Sequence, residues 1–535
     1  MNPGISKQAA SAKNPILRGF NPDPSIVRVG RDYFLATSTF EWFPGIPIYH
    51  SRDLANWRMI GHALTRADLA DLQGVPDSGG IWAPALSFAD GVFYILYTIV
   101  HNRTGPFRDV NNYLITAPSI TGPWSPPVYL NSSGFDPSLF HDADGRKWVT
   151  NMQWDHRPDH FRFAGIILQE YDPSAGRLTG PIFDLCRKDA IIEGPNLYKH
   201  ADYYYLMLAE GGTDWNHSIS MLRSKVLTGP YEPDPQPFVL TSRTHPALPL
   251  QKAGHGELVQ TPDGGWYLAH LCSRPLYPPR RCPLGRETAI QEVHWTNDGW
   301  LRLSGGDDAP KTTCALPDPT SPPSVRPTLV RDDFDEPELS ADWQALRIPV
   351  ESSWANTTER PGFLRLRGRQ SLQSLHHQSL IARRITEFQA DVETAVDFNP
   401  DTYLQSAGLV LYYDTRHHYY LRVTHDEDKG RTVGLATTIG GAITEYPNDE
   451  LVINDWKRIY LRADIDGIDV TFAASADGQI WQQFPGKHDF SLLSSDFAGG
   501  FTGAMAGVCV QDLRGSQAIA DFDYFQIRTV IPVDG

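Results

Sequence analysis

The sequence predicts an all-β protein with two domains: a five-bladed β-propeller over residues 1–306 and, after a linker, a jelly-roll β-sandwich over residues 330–535. Three observations predict this fold class. A cassette of short strands recurs five times within the first domain at intervals of about 57 residues. A proline-rich segment then follows over residues 307–329. Beyond it the cassette stops, and strands of alternating apolar residues replace it.

Each cassette opens on a short motif, followed by a turn and an aromatic-rich second strand. The five motifs are D-P-S-I-V (23–27), W-A-P-A-L (82–86), D-P-S-L-F (136–140), E-G-P-N-L (193–197) and H-G-E-L-V (255–259). Turns such as T-G-P-W (121–124) and T-G-P-Y (228–231) separate further strands near the ends of cassettes. One four-stranded sheet per cassette, repeated radially, predicts five blades.

The composition changes twice after the last cassette. Residues 307–329 are rich in proline and poor in alternating apolar residues, which indicates a stiff extended linker. Helix-poor segments such as S-A-G-L-V-L-Y-Y-D (406–414), R-I-Y-L-R-A-D-I (458–465) and A-D-F-D-Y-F-Q-I (520–527) follow. Such strands are typical of a two-sheet, concanavalin-like sandwich.

Composition and charge exclude several classes of partner. The 535 residues are too many for one ordinary core. The formal charge of −16 argues against nucleic acid and against an anionic membrane surface. The N-terminal segment has no apolar core of signal-peptide length and no stretch approaches a membrane span, so we expect a cytoplasmic protein. Its five scattered cysteines lack zinc-site spacing and fit reduced thiols.

The opening residues of the cassettes point to chemistry. If the blades close into a ring, the openings take equivalent places around its axis: Asp23, Trp82, Asp136, Glu193 and His255. A structural turn position would repeat one residue type, whereas this one varies among carboxyl, indole and imidazole. Three carboxyl groups in one pocket cannot all ionise alike, so we expect one protonated acid beside ionised carboxylates. Glycoside hydrolysis needs that division, and an indole provides a flat wall for a sugar ring.

Other residues near these openings have two interpretations each. Phe40, Phe135 and Trp154 are either platforms for a sugar or ordinary core aromatics. Arg286 is either an ion pair between blades or a donor to substrate hydroxyls and to an acid. His255 is more often a satisfied pocket residue than a metal ligand.

Several motifs together resemble one family. They are N-P-I-L-R-G-F-N-P-D-P-S-I-V-R (14–28), A-T-S-T-F-E-W-F-P-G-I-P-I-Y-H-S-R-D-L-A-N-W (36–57), G-I-W-A-P-A-L (80–86), G-F-D-P-S-L-F-H-D (134–142), E-G-P-N-L-Y-K (193–199) and L-A-E-G-G-T (208–213). They closely resemble the β-xylosidases of glycoside hydrolase family 43, in the subgroup with a C-terminal β-sandwich introduced by a segment like R-D-D-F-D. The resemblance covers essentially the whole chain.

The resemblance implies an inverting mechanism and a role for each acid. Asp23 is similar to the general base that activates water, Glu193 to the general acid, and Asp136 to the third acid, which orients Glu193 and tunes its pKa. The same comparison places four residues around the terminal sugar: Trp82, Phe135, His255 and Arg286. Phe40 reaches towards the next sugar, and a sandwich loop over 501–507 closes the mouth, with Phe501 or Met505 at its tip.

The expected function is exo-acting release of terminal D-xylose from the non-reducing end of short, imported β-1,4-xylo-oligosaccharides, with side activity on α-L-arabinofuranosides. A predominant α-L-arabinofuranosidase is one alternative, and a retaining propeller enzyme acting on fructosides, with Asp23 as nucleophile, is another. A non-catalytic, lectin-like propeller is an alternative of a different class. We expect no cofactor or metal, although related propellers leave a Ca²⁺ ion near His255 as an alternative. The sequence is compatible with either a monomer or a homo-oligomer.

Overall fold

The computed structural model describes residues 10–318, 320–322 and 327–530, and antiparallel β-sheets organise them. Helix within these residues is limited to one 3₁₀ turn, Phe490–Leu492, and one α-helical turn, Ser495–Ala498. None of the helices found there is long and apolar enough to cross a membrane. The all-β prediction is confirmed.

Five sheets follow one another through the first domain, and we number them as blades in chain order. Blade 1 contains Ser25–Val29, Asp32–Ala36, Gly45–Ser51 and Arg58–Leu64. Blade 2 contains Gly80–Ala89, Val92–Asn102, Asp109–Ala117 and Val128–Asn131. Blade 3 contains Ser138–His141, Lys147–Trp154, Phe163–Asp172 and Arg177–Cys186. Blade 4 contains Ile192–His200, Tyr203–Glu210, Ser218–Ser224 and the short Glu232–Pro233 and Leu240–Thr241. Blade 5 contains Gln251–Gln260, Trp266–Ser273, Glu287–Trp295 and Leu301–Leu303.

The first strand of each blade contacts the first strand of the next blade. The first strand of blade 5 contacts the first strand of blade 1, which closes the ring. Glu257 joins these two blades, since its carboxyl accepts hydrogen bonds from the Ser25 hydroxyl and from the Ile26 N–H at 2.8 Å. The sheets therefore close as the predicted five-bladed propeller.

A small sheet also closes the ring, next to blade 5. Ser11–Lys13 pairs with Thr313–Ala315. Asn14 ties this sheet to Ile290, donating to its carbonyl at 2.7 Å and accepting from its N–H at 2.9 Å. Part of the segment assigned to a linker (307–329) is therefore a paired strand, while residues 319 and 323–326 of that segment lie outside the described residues.

The second domain is a sandwich of two antiparallel sheets around one apolar core. One sheet runs, in order, through Ala355–Asn356, Leu364–Arg367, Ile519–Thr529, Gln389–Asp397, Ile459–Asp466, Asp469–Ser475 and Gln482–Gln483, with Leu329–Asp332 and His488–Asp489 paired beside it. The other runs through Ala442–Glu445, Gly430–Ile439, His417–Asp426, Gln405–Asp414, Met505–Asp512, Ser379–Arg384 and Gln344–Leu346, with Leu451–Val452 beside it. The predicted jelly-roll sandwich is thus observed.

The two domains share a sheet edge. Trp42–Phe43, a short propeller strand, pairs with Gln344–Leu346 and extends the second sandwich sheet. The Trp42 indole is fully buried and meets the Tyr412 ring edge-on at 5.8 Å between centroids. Since backbone pairing and a mixed apolar core both cross the boundary, the sandwich holds a fixed position over the propeller.

Candidate active site

A repeated backbone feature marks the start of each inner strand. One residue per blade adopts a positive φ there: Asp23 (54°), Ala83 (36°), Asp136 (54°), Gly194 (54°) and His255 (27°). The expected equivalence of the five motif openings is therefore wrong for Trp82 and Glu193, which stand one residue earlier, in the position that Phe135 holds in blade 3. Proline follows the positive-φ residue in blades 1–4, and this sets the true register.

Each blade thus supplies at least one side chain from these two adjacent positions to one cavity. The cavity is lined by all nine site residues expected from the sequence: Asp23, Phe40, Trp82, Phe135, Asp136, Glu193, His255, Arg286 and Phe501. Most of its lining comes from the blades and their loops, and Phe501 reaches it from the sandwich.

Asp23 is held as a carboxylate. Its Oδ2 accepts from the Ser38 hydroxyl at 2.6 Å, and its Oδ1 accepts from Arg286 Nη1 at 3.1 Å and lies 3.4 Å from His255 Nδ1. Burial acts to raise the pKa of Asp23, but the Arg286 charge and the His255 contact outweigh it and hold the pKa well below its usual range. An ionised, oriented carboxylate can take a proton from water.

The pKa values of Asp136 and Glu193 are raised, whereas that of Asp23 is lowered. Asp136 is buried and Glu193 is half-buried, and desolvation raises the pKa of Asp136 to about 6 and that of Glu193 to about 8, so Asp136 ionises at the lower pH. The neighbouring Asp136 charge raises the pKa of Glu193 further. Asp136 Oδ2 also accepts the Gly194 N–H at 3.1 Å, which fixes the backbone next to Glu193. Glu193 therefore keeps a proton at a pH where Asp23 has lost its own.

Gly194 is needed for the close approach of His255. A Cβ on Gly194 would lie 2.8 Å from two atoms of the imidazole, and its φ of +54° already disfavours other residues. Burial acts to lower the pKa of His255, but the hydrogen bond to Asp23 and the surrounding carboxyl groups outweigh it and raise that pKa. The raised pKa favours the protonated form of His255, whose charge stabilises the Asp23 carboxylate.

The groups around His255 do not suit a Ca²⁺ ion, which prefers six to eight oxygen ligands. The nearby Asp23 carboxylate is already shared by Arg286, His255 and Ser38. Across the described part of the chain, no group of three or more His, Cys, Asp or Glu side chains is placed to hold a metal. Independence from metal stays a prediction.

Aromatic rings form the walls of the cavity. Trp82 lies 5.9 Å from Phe40 and 5.4 Å from each of Phe135 and Phe501, between ring centroids. The Trp82 Nε1 donates to the Ser78 carbonyl at 3.0 Å, which fixes the indole plane. Aromatic walls of this kind suit the apolar face of a sugar.

Phe501, rather than Met505, is the tip of the sandwich loop. Its N–H donates to the Ser78 hydroxyl at 2.9 Å, and its carbonyl accepts from Arg286 Nη2 at 3.1 Å. Met505 is fully buried at the start of the strand Met505–Asp512. Both backbone polar groups of Phe501 are therefore bonded to the propeller.

Sequence reasoning missed several residues of the site. Four of them line the cavity: Arg108, Phe163, Thr213 and His217. Thr213 accepts from Arg286 Nη1 at 2.8 Å, and its motif L-A-E-G-G-T was a usable signal. Burial, and then the charges of His255 and Arg286, lower the pKa of His217 to about 3, so its imidazole is neutral. Arg108 and Phe163 lie in ordinary strand and loop sequence that carried no signal.

The geometry agrees with comparisons to known proteins. Residues 12–301 match the model of glycosyl hydrolases family 43, and residues 331–528 match that of a β-xylosidase C-terminal concanavalin A-like domain. A xylosidase/arabinosidase 43B of Humicola insolens is 45% identical over 97% of this chain and 98% of its own length. A β-xylosidase of Bacillus subtilis is 42% identical over 96% and 99%. The crystal structure of a xylan β-1,4-xylosidase from Bacillus halodurans superposes with a TM-score of 0.94 at 50% identity, covering 97% of this chain and all of the other.

A propeller with an acidic pocket, a concanavalin-like domain and these relatives define a glycosidase. The chain belongs to glycosyl hydrolases family 43.

Proposed function

We propose that the protein is an exo-acting, inverting β-xylosidase that removes terminal D-xylose from the non-reducing end of short β-1,4-xylo-oligosaccharides, with side activity on α-L-arabinofuranosides. The observation that carries the proposal is the opposite tuning of Asp23 and Glu193 within one cavity. An ionised carboxylate and a protonated carboxylic acid are the two groups that glycoside hydrolysis requires.

In the proposed mechanism, Asp23 accepts a proton from a water molecule while that water attacks the anomeric carbon. Glu193 donates its proton to the glycosidic oxygen as the bond from that oxygen to the anomeric carbon breaks. The attack and the departure occur on opposite faces of the sugar, so the anomeric configuration inverts. Before the next cycle Asp23 releases its proton and Glu193 regains one.

Asp136 acts on this reaction through Glu193. Its negative charge keeps the acid protonated, and its hydrogen bond to the Gly194 N–H orients the segment that carries the acid. Arg286 has the complementary effect on Asp23, because its guanidinium keeps the base ionised. Trp82, Phe135 and Phe40 would hold the sugar ring between these groups.

We propose exo-action because Phe501 of the sandwich joins the blade residues around one cavity, in which we expect a chain end to fit. The relatives include a xylosidase/arabinosidase and a β-xylosidase, and this supports side activity on arabinofuranosides as part of the proposal. None of the relatives named above is described as a lectin, so the non-catalytic alternative gains no support from them.

A panel of p-nitrophenyl β-D-xyloside and p-nitrophenyl α-L-arabinofuranoside, assayed on one purified sample, tests the proposal. We expect the higher kcat/KM on the xyloside and measurable turnover of the arabinofuranoside. A higher kcat/KM on the arabinofuranoside would favour the arabinofuranosidase alternative. Binding of xylose without turnover of either compound would favour the lectin-like alternative.

We also propose that the enzyme works in the cytoplasm on imported oligosaccharides. All five cysteines are free thiols and four of them are buried, which suits a reducing compartment. The expected lack of nucleic-acid and membrane partners rests on the charge of −16. Light scattering on the purified protein would decide between monomer and homo-oligomer.

A further inference from the structure

Arg108 lines the cavity, and no carboxylate in the described part of the chain forms an ion pair with it. Its guanidinium carbon lies 3.9 Å from the centre of the Trp154 ring and 5.7 Å from that of Phe135. The Trp154 indole is itself fixed, because its Nε1 donates to the Pro106 carbonyl at 2.8 Å. A flat aromatic surface thus holds the planar guanidinium in place at the cavity.

Nothing among the described residues neutralises Arg108. It makes no ion pair there, and its Nε is buried without a hydrogen-bond partner. Glu193 is close enough to affect it electrostatically, but Glu193 is the group that keeps its proton. The positive charge of Arg108 is therefore left uncompensated in the resting enzyme.

A second guanidinium adds to this charge. The charge of Arg103 lowers the pKa of Arg108. The guanidinium carbon of Arg103 lies 5.6 Å from the centre of the Phe501 ring. Its Nε donates to the Asp77 carbonyl oxygen at 2.7 Å, whereas the Asp77 carboxylate is bonded to Arg347 and Thr415. Within residues 10–318, 320–322 and 327–530, these two neighbouring cations thus form no ion pair, in a protein whose formal charge is −16.

Partly desolvated cations without an anion cost free energy, and this arrangement would be stabilised by an anion from the ligand. A guanidinium recognises a carboxylate through two parallel hydrogen bonds, and stacking on an indole keeps its donors in one plane. The position of Arg108 in the cavity also indicates which part of the substrate would carry the anion. Arg108 and Glu193 line the same cavity, and the charge of Glu193 acts on Arg108, so we place Arg108 on the side of the leaving group that Glu193 would protonate.

We propose that this enzyme accepts leaving groups that carry a carboxylate, and that Arg108 binds this carboxylate at the mouth of the cavity. The inference rests on the proposed function and deepens it, since it names acidic xylo-oligosaccharides as a substrate class. A carboxylate can come from a uronic acid attached to the leaving sugar or from a reducing end oxidised to an aldonic acid. Arg108 recognises the group that both share.

The test compares 4-carboxyphenyl and 4-carbamoylphenyl β-D-xylosides, which differ in charge but little in shape. We expect wild type to prefer the carboxylate in kcat/KM by roughly tenfold, as for a charge-assisted hydrogen bond at a partly exposed site. The preference should fall to about one in Arg108→Met and weaken in wild type as salt is added. It should be kept only in part in Arg108→Lys, which keeps the charge but not the two parallel donors. The ratio within each variant cancels general losses of activity, and comparing this ratio between variants cancels the different acidities of the two phenols.

Arg146→Met is the matched control. Arg146 also lies over a tryptophan, with 5.0 Å from its guanidinium carbon to the Trp148 ring centre, but it does not line the cavity. The control loses the same charge from the protein and should keep the wild-type ratio. An equal fall in both variants would show a general charge effect and overturn the inference.

Other outcomes separate this inference from the proposed function. Turnover of both xylosides with a ratio near one in wild type, or a ratio unchanged in Arg108→Met, would contradict the inference alone. Failure to turn over either compound would contradict the proposed function and the inference with it. Assays on aldonate-ended xylobiose and on uronate-substituted xylotriose, each against its neutral parent, would then show which source of carboxylate is preferred.

Discussion

The hydroxyl of Ser78 accepts a hydrogen bond from the backbone N–H of Phe501 at 2.9 Å, across the boundary between propeller and sandwich. The Ser78 carbonyl accepts from Trp82 Nε1 at 3.0 Å, so one residue positions two walls of the cavity. The Ser78 N–H donates in turn to Glu41, a buried carboxyl whose pKa burial raises to about 8. The sandwich domain is thereby part of the active site.

Replacing Ser78 with alanine should loosen Phe501 while keeping the backbone contacts of residue 78 to Trp82 and Glu41. We expect kcat/KM on p-nitrophenyl β-D-xyloside to fall roughly threefold to tenfold, the value of one neutral hydrogen bond. Ser494→Ala is the control, since it removes a buried hydroxyl bonded to the Ser491 carbonyl at 2.6 Å without touching Phe501. Wild-type kcat/KM in Ser78→Ala would contradict the positioning role.

Glu193→Ala should lose activity in a way that depends on the leaving group. On xylobiose, whose leaving oxygen needs a proton, we expect a loss of roughly a hundredfold to ten-thousandfold in kcat. On p-nitrophenyl β-D-xyloside the loss should be much smaller, because the phenolate departs without protonation. Asp23→Ala, tested alongside, should be severely impaired on both, since water still needs a base. Equal losses of Glu193→Ala on the two substrates would argue that Glu193 is not the acid.

Asp136→Asn should move the alkaline limb of the pH profile of kcat/KM to lower pH. Ionised Asp136 raises the pKa of Glu193, so removing that charge lets Glu193 lose its proton at a lower pH, and the acid is spent earlier as pH rises. The amide oxygen can still accept from the Gly194 N–H, which preserves the local backbone. An alkaline limb that stays in place or moves upward would contradict the tuning role of Asp136.

Gly194→Ala should lower kcat/KM by more than backbone strain alone explains. Its Cβ would lie 2.8 Å from the His255 ring, in addition to the cost of a φ of +54°. We expect more than a tenfold loss in kcat/KM. Gly176→Ala has a similar φ of +61° with no atom within 4 Å of the added Cβ, so it should lose stability but little activity. Similar kcat/KM in the two variants would refute the need for close approach between residue 194 and His255.

The repeat predicted the blades because the strands of one blade follow one another within a single cassette. Their pattern can therefore be read from a short stretch of sequence. The register of the openings failed by one residue at Trp82 and Glu193, because residue type was used where backbone conformation decides. Aligning the cassettes on the proline that follows the positive-φ residue would have placed Ala83 and Gly194 correctly.

Contacts between distant parts of the chain could not be predicted from periodicity. The pairing of Trp42–Phe43 with Gln344–Leu346 joins segments some three hundred residues apart. The Ser78–Phe501 bond and the cavity wall at Arg108 are of the same kind, since they depend on how the sandwich and the loops of blades 2 and 3 sit around the pocket. Phe501 was expected only through resemblance, with Met505 named as the other possible tip.

The stereochemistry of the first sugar released tests the central claim most directly. In the proposed reaction Asp23 activates water on one face of the sugar while Glu193 protonates the oxygen on the other, so a β-xyloside must yield α-xylose first. Proton NMR of the anomeric signals, recorded before mutarotation, distinguishes the two products. Initial α-xylose is the predicted result, and initial β-xylose would contradict the assignment of Asp23 as a base and indicate a nucleophile instead.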